Sequence, residues 1–472
     1  MKTVIMAGGR GTRIAEYSQK LTGKLLPKPM IPINDIPVLE WELNSLRDQG
    51  FKKFIITVSY LADEIMDYFG NGSGVSPATQ KHFDMQIEYF HEQEPLGNAG
   101  ALYKLRNKLV DLSDGSEDFL LLNADSIFDI DFQRLVNYHR EKKARATLFT
   151  HPNSHPYDSG LILANKDCAV EKWLTKEDIR PEYYKNRVNA GVHVLNISAL
   201  DQAVKISSIE VLQIGKLQAD GSIYKVDLDR QILKPLCGIK ADGKADVYCY
   251  DSPEYVKDMG TPERFEAVAR DFKIGIVQAK NLSHKQKAIF LDRDGTLNKY
   301  VGFLRKPEEL ELLPGVAEAI RKINESGYLA IVITNQPVVA RGEVTFEELE
   351  KIHQKLETEL GKEGAYIDAL YYCPHHPDRG FAGEISELKK VCDCRKPSPG
   401  MILQAAKDFN IDLSVSWMVG DSKIDIESGK NAGTHTALLG HESDYGQDVT
   451  CENLLKFVES IGNERYYARK IQ

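Results

Sequence analysis

Ala288-Ile289-Phe290-Leu291-Asp292-Arg293-Asp294-Gly295-Thr296-Leu297 sets a short apolar run directly against two carboxylates two residues apart. An apolar run ending in acids and a glycine reads as a buried strand that delivers side chains to the carboxyl edge of a sheet. The stretch lies well past the middle of a 472-residue chain, and the residues before it, Asn281-Leu282-Ser283-His284-Lys285-Gln286-Lys287, are polar and linker-like. Upstream, Val4-Ile5-Met6-Ala7, Phe54-Ile55-Ile56-Thr57-Val58 and Phe119-Leu120-Leu121-Leu122-Asn123 alternate with stretches of helical spacing such as residues 38–46. Downstream the rhythm restarts with strand candidates at 328–333 and 416–419. Such alternation builds a mostly parallel sheet covered by helices on both faces. The expected fold is α/β, two tandem doubly wound domains at residues 1–270 and 287–472 with a linker at 271–286. The tail after about Asp444 reads as one terminal helix.

Composition narrows the function. Lys and Arg number 60 against 69 Asp and Glu, a net charge of -9, and this acidity argues against a nucleic-acid partner. No apolar run approaches the roughly 18 residues of a membrane-spanning helix, and the start is too short in apolar residues for a signal peptide. Seven cysteines, an odd count, suit a reduced compartment. The expectation is a cytoplasmic protein without a membrane partner.

In the first half, Gly8-Gly9-Arg10-Gly11-Thr12-Arg13 follows the first strand. Its glycines allow a polyphosphate close to backbone amides, and Arg13 and Lys28 offer fixed positive charge. Asp125 and Asp258 each follow an apolar stretch, and paired carboxylates with phosphate oxygens suit Mg²⁺. Taken singly, each acid reads as a cap or turn residue. With Pro27-Lys28-Pro29, Glu94-Pro95-Leu96-Gly97-Asn98-Ala99-Gly100, Asn123-Ala124-Asp125, Glu171-Lys172, Asn189-Ala190-Gly191 and Asp258-Met259-Gly260-Thr261-Pro262, this half resembles the sugar-1-phosphate nucleotidyltransferases. The resemblance implies a Rossmann-like domain in which Gly8, Gly9, Gly11 and Thr12 bind the triphosphate while Arg13 and Lys28 promote transfer. Glu94 and Gly97 would line the nucleobase pocket, and Asp125 and Asp258 would hold Mg²⁺. Gly160, Glu171, Lys172 and Asn189 would bind the sugar phosphate. Asn98 stands where the family often has Thr, and Ala124 where Gly is usual.

In the second half, the two acids of Asp292-Arg293-Asp294 suit a division of labour in phosphate transfer, one attacking phosphorus and the other moving a proton. Thr334-Asn335-Gln336, Arg395-Lys396-Pro397 and Gly420-Asp421-Ser422-Lys423-Ile424-Asp425 follow in order, and the set resembles the haloacid dehalogenase superfamily of phosphatases. By that resemblance Asp292 is the nucleophile and Asp294 the general acid and base. Thr334, Asn335, Arg395 and Lys396 bind phosphate; Asp292, Asp294 and Asp421 hold Mg²⁺, with Asp425 in support. Cys373, Cys392 and Cys394 with a histidine of His375-His376 form a structural zinc set by type and spacing; the family pattern selects His375. This loop resembles that of heptose 1,7-bisphosphate phosphatases, with histidinol-phosphate phosphatases close by. Pro337 replaces the Ser common there.

Together the halves resemble a fusion of a D-glycero-D-manno-heptose 1-phosphate guanylyltransferase with the phosphatase that precedes it. The implied substrates are heptose phosphates and a nucleoside triphosphate, GTP by that pathway resemblance. Two other readings stand beside it. Mannose 1-phosphate and histidinol phosphate would replace the heptoses in one; in the other, one domain would be a catalytically dead binding module. A homo-oligomer is left open.

Overall fold

The structure, a computed structural model, describes residues 1–9, 11–111, 113, 115–440 and 443–468. Cα proximity divides the chain into two units. The first comprises Met1–Thr150, Gly160–Thr175 and Asn189–Gln278; the second comprises His151–Ser159, Lys176–Val188 and Ala279–Gln472.

In the first unit the strands Asp118–Asn123, Lys2–Met6, Lys53–Val58 and Gln86–His91 are parallel neighbours in that order. Val4, Ile5, Ile55, Ile56, Leu120 and Leu121 are fully buried, as expected of strands covered on both faces. The opening strand has the second on one side and Asp118–Asn123 on the other. This reversal makes its carboxyl end the switch point where open α/β sheets receive ligands. The sheet extends past Asp118–Asn123 through antiparallel Val188–Asn196 to Leu161–Ala164 and Val170–Leu174, and Ala146–His151 and Val247–Asp251 complete nine strands. A separate ribbon pairs Ser126–Asp129 with Tyr255–Asp258 and sets Asp258 opposite Ser126.

The second unit is built on six parallel strands. Their spatial order is Ala369–Cys373, Tyr328–Asn335, Lys287–Leu291, Trp417–Gly420, His435–Leu439 and Val449–Cys451. In chain order this is 3-2-1-4-5-6, the doubly wound arrangement. Residues 288–291 alternate between two apolar clusters. Ile289 and Leu291 join Ile320, Ile352 and Phe457, whereas Ala288 and Phe290 join Met401 and Ile402. The two-residue period of a strand puts helices to work on both faces.

Two expectations change. The stretch 271–286 is folded: its first residues end the helix Pro262–Lys273, and Leu282, Lys280, Asn281 and Gln286 are buried. Gln286 donates to the backbone of Asn281 and His284, so its polar groups read as linker while serving as internal ties. The tail is not helix alone, because Val449–Cys451 forms the edge strand before the helix Leu454–Ala468. Three residues are too few for alternation to register. Within the second unit, Arg187 and Glu357 form a buried ion pair at 3.2 Å.

Candidate active sites

The carboxyl ends of Lys287–Leu291 and Trp417–Gly420, the switch point of the second unit, open onto a cleft of about 390 Å³. Asp292, Asp294, Thr334, Asn335, Arg395, Lys396 and Asp421, all chosen from sequence, line it. Asp292 leaves its strand with its amide donating to the Val419 carbonyl at 2.9 Å. The buried Lys396 ammonium lies 2.6 Å from one oxygen of Asp292 and 2.6 Å from Asp425. Burial, then the Asp425 charge, pushes the Asp292 carboxyl up to about 7, with Lys396 opposing them.

Asp294 is held differently. Arg293 Nη2 donates to its two oxygens at 3.0 and 2.8 Å, Asn298 Nδ2 at 3.0 Å and Gln336 Nε2 at 2.9 Å. Burial raises this carboxyl, but the Arg293 charge and these donors outweigh it and hold it below the usual range. Gln336 also donates to Thr334 Oγ1 at 2.8 Å, which leaves the threonine hydroxyl proton for a phosphoryl oxygen. Asn335 spends its side chain on the Lys396 backbone, donating to its carbonyl at 3.1 Å and accepting from its amide at 3.0 Å. It therefore positions the cation from within the cleft wall.

The oxygens that group to hold a cation are those of Asp292, Asp421 and Asp425, all within 4.8 Å of one another. Hard carboxylate donors of this kind fit Mg²⁺. The Asp294 carboxylate, expected among the ligands, is not in this group; Arg293, Asn298 and Gln336 engage it instead. Asp425 is fully buried between Lys396 and Ser422. Gly295 makes the approach of Asp421 feasible: its φ is +88°, and a Cβ there would lie 2.0 Å from Asp421 Oδ2. Asn298 was not chosen from sequence, and Gln336 only as part of the run Thr334-Asn335-Gln336; their place beside chosen motif residues was the available signal.

Cys373, His375, Cys392 and Cys394 converge with donor atoms within 4.8 Å. Sulfur–sulfur separations are 3.1 to 3.5 Å, and His375 Nδ1 lies 3.3 Å from Cys394 Sγ. Zn–S bonds near 2.3 Å imply edges of about 3.8 Å in a regular tetrahedron, so the set fits zinc with slight expansion. His376 faces elsewhere, its Nδ1 accepting from the Asp378 amide at 3.1 Å.

In the first unit, the loop with Gly8 and Gly9 leads into the helix Thr12–Thr22 at the switch point. Arg10 and the Thr12 side chain lie outside the described residues. Gly11 caps that helix at φ +55°, and a Cβ would stand 3.2 Å from Lys28 Cβ. The Lys28 ammonium sits between Asp125 at 3.2 Å and Asp258 at 3.1 Å. The ribbon explains the meeting, reinforced by the Met259 amide donating to the Asp125 carbonyl at 3.0 Å. Burial opposes the Asp258 anion, yet Lys28 and Arg264 keep its carboxyl below the usual range. Arg13 Nη2 reaches within 3.3 Å of where a Cβ on Gly260 would stand. Two carboxylates facing one cation position also fit Mg²⁺.

Glu94 and Gly97 lie in the loop before the helix Gly100–Leu109, and Asn98 accepts from the Leu228 amide at 2.7 Å, a tie within the protein. Glu171 and Lys172 are exposed on Val170–Leu174. Gly160 accepts from the Asn189 amide at 3.1 Å. Asn189 Oδ1 lies 3.1 Å from Nε2 of buried His193, whose pKa burial lowers to about 4. The neutral ring donates there to the Asn189 carbonyl oxygen.

A nucleotidyl transferase family model matches residues 2–223, and a haloacid dehalogenase-like hydrolase model matches residues 242–433. The chain belongs to the haloacid dehalogenase-like hydrolases through its C-terminal part and carries a nucleotidyl transferase ahead of it, which makes it a bifunctional transferase and phosphatase. It is 39% identical over 165 residues to the D-glycero-beta-D-manno-heptose-1,7-bisphosphate 7-phosphatase of Yersinia pestis, covering 84% of that protein and 35% of this one. Among solved structures, the D,D-heptose 1,7-bisphosphate phosphatase of B. bronchiseptica, complexed with magnesium and phosphate, shares 32% identity. That match covers 38% of this chain and 99% of that one, with a TM-score of 0.34. HddC from Yersinia pseudotuberculosis shares 21% identity, covering 57% of this chain and 99% of that one, with a TM-score of 0.41.

Proposed function

We propose that the second unit removes the 7-phosphate of D-glycero-D-manno-heptose 1,7-bisphosphate, and that the first transfers GMP from GTP to the heptose 1-phosphate produced. GDP-heptose and pyrophosphate would be the final products, made in the cytoplasm. The observation that carries this reading is the cleft that gathers Asp292, Asp294, Thr334 and Lys396 in a chain of which 165 residues are 39% identical to a heptose bisphosphate phosphatase.

Asp292 attacks phosphorus through the oxygen that Lys396 leaves open, and the Thr334 hydroxyl and the ammonium hold phosphoryl oxygens. Asp294 gives a proton to the departing sugar oxygen. An incoming phosphate dianion beside this carboxylate favours its protonated form, against the pull of Arg293. It then takes a proton from the water that hydrolyses the aspartyl phosphate. Mg²⁺ on Asp292 and Asp421, with Asp425 in support, would neutralise phosphate charge, while zinc on the Cys373 loop would be structural.

In the first unit, an oxygen of the sugar phosphate displaces pyrophosphate from the α-phosphorus. Transfer needs alignment and charge neutralisation rather than a protein nucleophile. The amides ahead of the helix Thr12–Thr22, with Arg13 and Lys28, supply positive potential. Glu94 and Gly97 would face the base, and Gly160, Glu171, Lys172 and Asn189 the sugar phosphate; Asp125 and Asp258 would hold Mg²⁺.

The test is incubation with the bisphosphate, Mg²⁺ and each nucleoside triphosphate separately, with products weighed by mass spectrometry. GDP-heptose formed only with GTP is the expected result. Phosphate release with no nucleotide sugar would remove the assignment of the first unit, and no reaction at all would remove the heptose assignment.

A further inference from the structure

Glu42 lies on the helix Val38–Asp48, is 1% exposed, and neither of its carboxylate oxygens has a hydrogen-bond partner among the described residues. Its neighbour Glu40 is equally buried, yet it accepts from Tyr68, Ser76 and Thr79 at 2.7, 2.9 and 3.2 Å. A buried carboxylate without donors is among the costlier features a fold can keep. Glu42 is also not remote from chemistry. Its helix packs against the turn Lys28–Met30 and against the strand Ser126–Asp129, which begins next to Asp125. Burial, then the Asp125 charge, raises its carboxyl well above the ordinary value, and Lys28 opposes them.

The resting arrangement leaves Lys28 with a problem. Its ammonium lies between Asp125 and Asp258 at 3.2 and 3.1 Å, the position a divalent cation bound to those two carboxylates would take. An ammonium and a doubly charged ion cannot share it without strong repulsion. Lys28 is only 8% exposed, so a buried anion on a neighbouring element is a partner that can replace the aspartates without drawing the side chain out of its packing.

We propose that Glu42 is the second acceptor for the Lys28 ammonium, receiving it when a divalent cation displaces it from between Asp125 and Asp258. The inference rests on the metal role proposed above for those two aspartates. Glu42 is thus a positioning residue for Lys28. When nucleotide is bound, phosphate oxygens offer the ammonium a further partner, so dependence on Glu42 is greatest with metal alone.

The experiment is a Mn²⁺ titration of the full-length protein without nucleotide, following free Mn²⁺ by electron paramagnetic resonance. An Asp421→Asn background weakens the second unit's site. Glu42→Gln should weaken Mn²⁺ binding about tenfold, the usual scale for residues that support a metal site from behind its ligands, and GTP should shrink the difference. Glu42→Met should raise the thermal midpoint by a few degrees, because it removes a buried unpartnered acid, and weaken Mn²⁺ alike. Unchanged Mn²⁺ affinity in both variants would overturn the proposal, as would a fall in midpoint for Glu42→Met, which would give the carboxylate a structural partner. Asp125→Asn is the control. If it too leaves Mn²⁺ binding unchanged, the metal assignment itself fails, separately from the role of Glu42.

Discussion

Lys396 shows how much one side chain can decide. Its ammonium neutralises two acids that are otherwise buried side by side, Asp292 and Asp425. Lys396→Met should therefore lower stability by about 3–5 kcal/mol, the cost of leaving buried charge without its partner. Urea unfolding followed by circular dichroism will measure it. Asp292→Asn keeps the shape and removes the nucleophile, so phosphate release should fall by at least about a thousandfold with the unfolding midpoint nearly unchanged. Gln336→Leu tests a subtler role. It removes one donor to Asp294 and one to Thr334, and kcat should fall about tenfold, the worth of a hydrogen bond to a charged group. These acids were legible because each sits where an apolar run stops. Glu42 was not legible: residues 38–46 carry two glutamates on one amphipathic helix, and nothing in Leu39-Glu40-Trp41-Glu42-Leu43 says which of them lacks partners.

At the scale of elements, strand ends were readable and their pairing was not. Apolar runs announce buried parallel strands, so Lys2–Met6, Lys53–Val58, Asp118–Asn123 and Lys287–Leu291 could be placed within a residue or two. The ribbon that joins Asp125 to Asp258 pairs four-residue strands far apart in sequence, a long-range match that local periodicity does not carry. The loop from Cys373 to Cys394 makes its own prediction. Cys392→Ser should abolish stoichiometric zinc by atomic emission, expose residues 376–391 to trypsin and reduce phosphate release. Nucleotidyl transfer should survive.

Over the whole molecule, acid sensitivity follows from histidines buried without charge. His193 has a folded pKa of about 4 against about 6.5 in an unfolded chain. Its neutral form is therefore fully compatible with folding above 6.5, and stability is lost as pH falls from 6.5 towards 4, by up to about 3 kcal/mol. His353, lowered well below its ordinary value by burial and then by Arg293, acts in the same direction. Urea midpoints at pH 7.5, 6 and 5 should decline in that order. His193→Gln should flatten the decline, and a parallel slope would assign the acid loss to other groups.

Cys394 is followed without interruption by Arg395 and Lys396, so the loop proposed to hold zinc ends on the backbone that presents the Lys396 ammonium to Asp292. An ion that takes no part in bond making would then govern how many molecules are competent. On the function proposed above, a cell starved of zinc would keep making the chain at its normal rate while its sugar bisphosphate piled up unhydrolysed, a nutritional deficiency showing itself as a block in carbohydrate metabolism.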